Sequence, residues 1–111
     1  MRQTIEDSNI EPSALTAIEN LNPIVVKEIQ DAVKKYDWVI VGMALNPVVK
    51  KARKHLESKS IEYHYITHGG YFSKWKLRLA IKLWSGWPTF PQVFHKGVLI
   101  GGAADLKKYL P

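Results

Sequence analysis

The strongest constraint in this chain is the run Trp38-Val39-Ile40-Val41-Gly42-Met43, in which apolar residues fill consecutive rather than alternate positions. Neighbouring side chains of a strand point to opposite faces of the sheet, so an unbroken apolar run needs cover on both faces and predicts a central strand between helices. Three residues later come Asn46, a favoured N-cap, and Pro47, whose fixed φ suits the first helical position. Val48, Val49, Ala52 and Leu56 then fall on one face, with Lys50, Lys51, Arg53 and Lys54 mostly on the other. A buried strand feeding an amphipathic helix is half of a β-α-β unit. It places Asn46 to Val49 at the junction where many α/β proteins hold their chemistry.

The flanking sequence extends that unit. Residues 1 to 12 are polar and mixed in charge, and are expected to be a flexible tail. Ser13 is expected to cap a short helix over "PSALTAIENL". Asn22 and Pro23 open a second helix to Tyr36, with Val25, Ile29, Val33 and Tyr36 at helical spacing. Beyond the central helix, "SIEYHYI" at 60 to 66 predicts a strand broken by "HGG". Ser73 can cap a helix through about Leu83 with Leu77, Ala80, Ile81 and Trp84 inward. The Lys96-Gly97 pair between two short apolar runs signals a hairpin. A last helix, 103 to 110, has Leu106, Tyr109 and Leu110 on its apolar side. From residue 38 the order is β-α-β-α-β-β-α. This predicts an α/β domain over 13 to 111, its core at 38 to 110, with a four-stranded mixed sheet flanked by helices and an extra N-terminal helix. A chain of 111 residues supports one such core and not two.

Charge divides the chain. Residues 1 to 37 carry seven acids and four bases, whereas residues 38 to 111 carry three acids and twelve bases, giving −3 and +9. The cationic part would attract an acidic protein or a small anionic ligand. Trp75, Trp84 and Trp87 stand among lysines, but their helical spacing fits core packing better than base stacking, so nucleic acid is not the expected partner. The sequence has no apolar run long enough to span a membrane and no signal-peptide pattern at its start, which makes the cytoplasm the expected location. His64 and His68 bracket the end of the second predicted strand. Without a neighbouring carboxylate they do not make a metal site, and none is expected. His55 and His95 carry no distinctive pattern. The sequence contains no cysteine, which excludes disulfides, thiolate metal sites and cysteine nucleophiles.

The element order, together with "RLAIKLWSGWPTFPQVFHKGVLIGGAADL", resembles the glutaredoxins of the thioredoxin-fold superfamily, and most of all the monothiol subgroup. The resemblance covers residues 38 to 110 and implies the thioredoxin fold. It places Asn46-Pro47-Val48-Val49 on the family's active motif, where members carry one or two cysteines. It places Met43 on a lysine that holds a glutathione carboxylate, and Ala104 on the first acidic position of the GG-x-D signature. What it retains is the frame: Arg78, Thr89, a cis-proline site at Phe90-Pro91, the Gly101-Gly102 turn, Ala103 and Asp105.

Thiol–disulfide exchange needs a thiolate that attacks sulfur. Asn46 offers an amide, and the sulfur atoms of the chain are the thioethers of Met1 and Met43. Asn46 suits a helix cap worth about 1 kcal/mol. By the resemblance, an iron–sulfur cluster would also need the missing cysteine as ligand, so none is expected. Glutathione could still pair with Phe90-Pro91, Arg78 and the N–H groups after Gly102. Loss of the lysine and the acid, each about 1–2 kcal/mol, would weaken that binding on the order of 100-fold. The expectation is therefore a glutaredoxin-like binding module that has lost oxidoreductase chemistry. The alternative is a glutathione-dependent oxidoreductase with residual activity in redox homeostasis.

Overall fold

A computed structural model describes residues 2–21, 23–42, 46–67 and 75–111, with the side chain of Trp75 outside the description. The helices are α1 (Pro12–Glu19), α2 (Pro23–Lys35), α3 (Pro47–Ser58), α4 (Trp75–Ser85) and α5 (Ala103–Tyr109). The strands are β1 (Trp38–Gly42), β2 (His64–Thr67), β3 (Gln92–His95) and β4 (Val98–Gly101). They form one sheet in the order β2-β1-β3-β4. β1 pairs parallel with β2 and antiparallel with β3, and β3 pairs antiparallel with β4. The mixed sheet and the order of elements agree with the sequence pattern.

All five residues of β1 are buried, and alternation divides them between two cores. Val39 and Val41 pack with Ile29 and Ala32 of α2, Ile81 of α4, Ile66 and Phe94. Trp38 and Ile40 pack with Ala52 and Leu56 of α3, Leu106 of α5 and Val93. Close packing shows at Gly42: a Cβ there would lie 2.5 Å from a methyl of Val49, itself 1% exposed. The Lys96-Gly97 hairpin forms as expected, with positive φ at both residues (49° and 82°) as a tight primed turn requires.

Several local expectations are corrected. Residues 7–9 form a 3-10 turn inside the predicted tail, and Pro12 opens α1 rather than ending the tail. The cap of α1 is Glu11, not Ser13. The Glu11 carboxylate accepts from the Ser13 and Ala14 N–H groups and also from the Ser13 hydroxyl. β2 is shorter than the 60–66 predicted, α2 stops at Lys35, and α4 runs on to Ser85. Tyr36 and Tyr109 are exposed rather than inward. Tyr36 stacks on His64 with centroids 4.2 Å apart, and Tyr109 meets Trp38 edge-on at 6.2 Å. His55 and His95 both secure the end of α5: His55 Nε2 bonds the Leu110 carbonyl, and His95 Nδ1 bonds the Tyr109 hydroxyl at 2.8 Å. Asn22, His68 and Ser73 lie outside the described residues.

Between α3 and the β2 edge, the half-buried Arg53 guanidinium lies 4.2 Å above the Tyr65 ring, and its Nε donates to the Tyr63 hydroxyl at 3.1 Å. That hydroxyl donates to Glu57 at 2.6 Å. Burial, with the Glu57 bond adding to it, raises the Tyr63 pKa above the ordinary tyrosine value.

Two predictions follow from this packing. Gly42→Ala should destabilise the fold by about 1–3 kcal/mol through overpacking, and Val49→Ala in the same chain should restore part of the loss. Urea unfolding of the single and double variants checks both. A raised Tyr63 pKa means the folded state holds the phenolic proton more tightly than the unfolded state. Its stabilising contribution is therefore complete below the ordinary value of about 10 and is lost as pH rises through the raised value. Thermal melts across that alkaline range should show a smaller decline for Tyr63→Phe than for the unaltered chain.

Candidate functional site

Sheet register gathers three segments at one end of the molecule. Val41 lies opposite Gln92 across the antiparallel pair, so the end of β1 adjoins the start of β3 and the Phe90-Pro91 loop before it. Gly102 joins them: a Cβ there would lie 3.7 Å from the Pro91 carbonyl oxygen and 3.7 Å from the Trp87 indole nitrogen. The first turn of α3 completes the cluster, with Val48 sharing a groove with Ala103 and Ala104.

Asn46 is the N-cap of α3, in extended geometry at φ −87° and ψ 117°. Its side-chain oxygen accepts from the N–H of Val48 at 2.9 Å and of Val49 at 3.3 Å. Two of the four N–H groups that a helix leaves unpaired at its start are thus satisfied by the residue before it. Pro47 holds the first helical position, Val48 is 45% exposed and Val49 is buried. Met43 lies outside the described residues.

The Phe90–Pro91 peptide bond is cis, at the proline where the resemblance placed it. Pro91 is buried, Phe90 half-buried and Thr89 exposed. The Lys82 ammonium stands 5.7 Å from the centre of the Phe90 ring. Arg78, one turn earlier on the same stripe of α4, is half-buried and engaged by a neighbouring group. In the turn into α5, Gly101 has φ 124°, and a Cβ there would meet the Asp105 carboxyl group at 2.8 Å, so this position requires glycine. The Asp105 carboxylate accepts from the Gly102 N–H at 3.0 Å. This acid therefore has a structural partner within its own turn, and Ala103 beside it is half-buried.

The site residues named from sequence thus collect around one sheet end, apart from Arg78, which the described contacts place on α4 only. Sequence reasoning missed the loop's interior. Gln92 is fully buried, and its Nε2 donates to the Trp87 carbonyl at 3.2 Å, tying the loop to β3. Gln92 Oε1 and Trp87 Nε1 are buried without a partner among the described residues. A glutamine directly before the apolar pair Val93-Phe94 is the available signal. No group of three or more His, Cys, Asp or Glu among the described residues could hold a metal ion, and none of the described helices is long and apolar enough to cross a membrane.

Comparison with known proteins agrees with this geometry. No family model matches the chain. A Dictyostelium discoideum protein called glutaredoxin-like is 43% identical over 93 residues, 84% of this chain and 76% of that one. The Arabidopsis thaliana chloroplastic bifunctional monothiol glutaredoxin-S16 is 43% identical over 54 residues, 42% of this chain and 16% of its own length. The crystal structure of a buckwheat glutaredoxin–glutathione complex has a TM-score of 0.68 at 20% identity, covering 77% of each chain, which shows a shared fold. A relative of that identity across most of both lengths, together with the thioredoxin-type sheet, establishes that the chain belongs to the glutaredoxin family as a member without cysteine.

Proposed function

We propose that this protein uses the glutaredoxin frame for non-covalent binding and has lost thiol–disulfide oxidoreductase chemistry. One observation carries the reading: the Asn46 side chain accepts from the Val48 and Val49 N–H groups. Free N–H groups at a helix start lower the pKa of a cysteine placed there and favour the thiolate that attacks a disulfide. Here an amide oxygen takes those bonds, and the sequence holds no sulfur able to form a mixed disulfide. An iron–sulfur cluster lacks a thiolate ligand on the same argument.

The reading keeps a degenerate glutathione site. Phe90 and Pro91 would offer backbone pairing to a peptide-like ligand, and Thr89, Gly102 and Ala103 border them. Asp105 is occupied by the Gly102 N–H, which supports weak rather than tight binding. Glutathione added to the isotope-labelled protein should shift the backbone amides of Phe90, Gly102 and Ala103 with millimolar-range saturation. Unmoved amides at all three would remove the glutathione part of the proposal.

The chemical part has its own test. Asn46→Cys should cost about 1 kcal/mol of stability through the lost cap. It should also create a thiol whose pKa lies below the usual value of about 8.5, measurable as the inflection of alkylation rate against pH. The same variant should gain glutathione-dependent reduction of a small mixed disulfide, while the unaltered chain stays at the uncatalysed rate. Turnover by the unaltered chain would favour the residual oxidoreductase and overturn this reading.

A further inference from the structure

The geometry points to a docking groove between α3 and α5 that takes an acidic polypeptide segment by one aliphatic side chain and its flanking carboxylates. The inference rests on reading the chain as a binding protein and names the partner chemistry. The two helices lie side by side and run the same way. Val48 of α3 lines one groove with Ala103 and Ala104 of α5 at their starts, and His55 bonds the carbonyl of Leu110, the residue that ends α5. Seven residues separate the contact points on each helix, so the pair keeps one register along its length.

Between the starts lies a groove of about 230 Å³, lined by Val48, Ala103, Ala104, Lys51 and Lys107. Its size decides what fits. Small-molecule sites generally measure roughly 300–1,000 Å³, so this groove suits a single side chain better than a whole ligand. Its charge decides the neighbours of that side chain. Lys51 and Lys107 are exposed and have no ion-pair partner among the described residues. Asp105, the acid on the first turn of α5, accepts from the Gly102 N–H. Methyl groups between two unpaired ammonium groups match an aliphatic residue set between carboxylates. No aromatic ring lines the groove, so it lacks the stacking platform that a nucleic-acid strand would use.

The test uses the full chain and two acetylated, amidated pentapeptides of equal charge, Asp-Glu-Leu-Glu-Asp and Asp-Glu-Ser-Glu-Asp. The leucine peptide should shift the amides of Val48, Lys51, Ala104 and Lys107 and bind several-fold tighter than the serine peptide. Lys51→Glu with Lys107→Glu should weaken it at least tenfold while amide dispersion stays native. Equal binding of the two peptides, or shifts spread over the lysines of other helices, would overturn the groove. So would tighter binding there of a single-stranded oligonucleotide of the same charge. Glutathione separates this inference from the one beneath it, because its shifts at Phe90 and Gly102 should survive both lysine changes. Loss of the peptide signal alone sinks the groove, and loss of the glutathione signal alone sinks only the glutathione site.

Discussion

Val39, Ile40 and Val41 are each fully buried at consecutive positions, which only a strand covered on both faces permits. The other elements meet that demand. α2 and α4 cover the face of Val39 and Val41, and α3 and α5 cover the face of Ile40. Burying three such side chains stabilises the fold by roughly 1.5–3 kcal/mol each, whereas a helix cap contributes about 1 kcal/mol. The core therefore sets the architecture, and the residue at the start of α3 adjusts it. That order of magnitudes explains how position 46 can change its chemistry while the sheet end, the cis-proline loop and the turn into α5 stay in place.

At that position the physics allows one occupant. The Val48 and Val49 N–H groups face a single point in space, where Asn46 Oδ1 sits. A thiolate there would draw its stabilisation from the same two donors. An amide oxygen that already accepts from them makes a local, neutral cap that needs no ligand. Asp105 behaves alike at the start of α5, spending its carboxylate on the Gly102 N–H. Both acceptors in the region are local in sequence and satisfy backbone donors two or three residues away.

Locality also decides how much was legible in the sequence. The Asn46 cap, the Lys96-Gly97 turn and the two-faced strand are set by neighbouring residues, so pattern alone shows them. The cap of α1 is local too: Pro12 favours the first helical position, which makes the preceding Glu11 the cap rather than Ser13. β2 begins at His64 because β1 offers its first parallel partner at Val39, and the alternation of "SIEYHYI" carries no trace of that limit. The cis-proline loop is legible through family resemblance and leaves no trace in propensity. The contacts of His55 and His95 with α5 join residues 55 and 14 positions apart, and the burial of Gln92 depends on where the loop folds back. Long-range pairings of this kind leave no local periodicity to read.

Charge completes the picture of the site end. The second part of the chain carries three acids, Glu57, Glu62 and Asp105, against twelve bases, and two of those acids are hydrogen-bonded within the fold. Their charge still counts toward the net field, but each has an oxygen engaged by a local donor. Exposed lysines on α3 and α5 then dominate the outward potential around the groove. Such a field would guide the proposed acidic segment toward the site end and set its orientation more than its final affinity. Affinity must come from what lies between the charges, and there the chain presents Val48 and two alanines. Small apolar side chains leave room for another side chain, so in the proposed complex the groove would supply the space and the partner the shape.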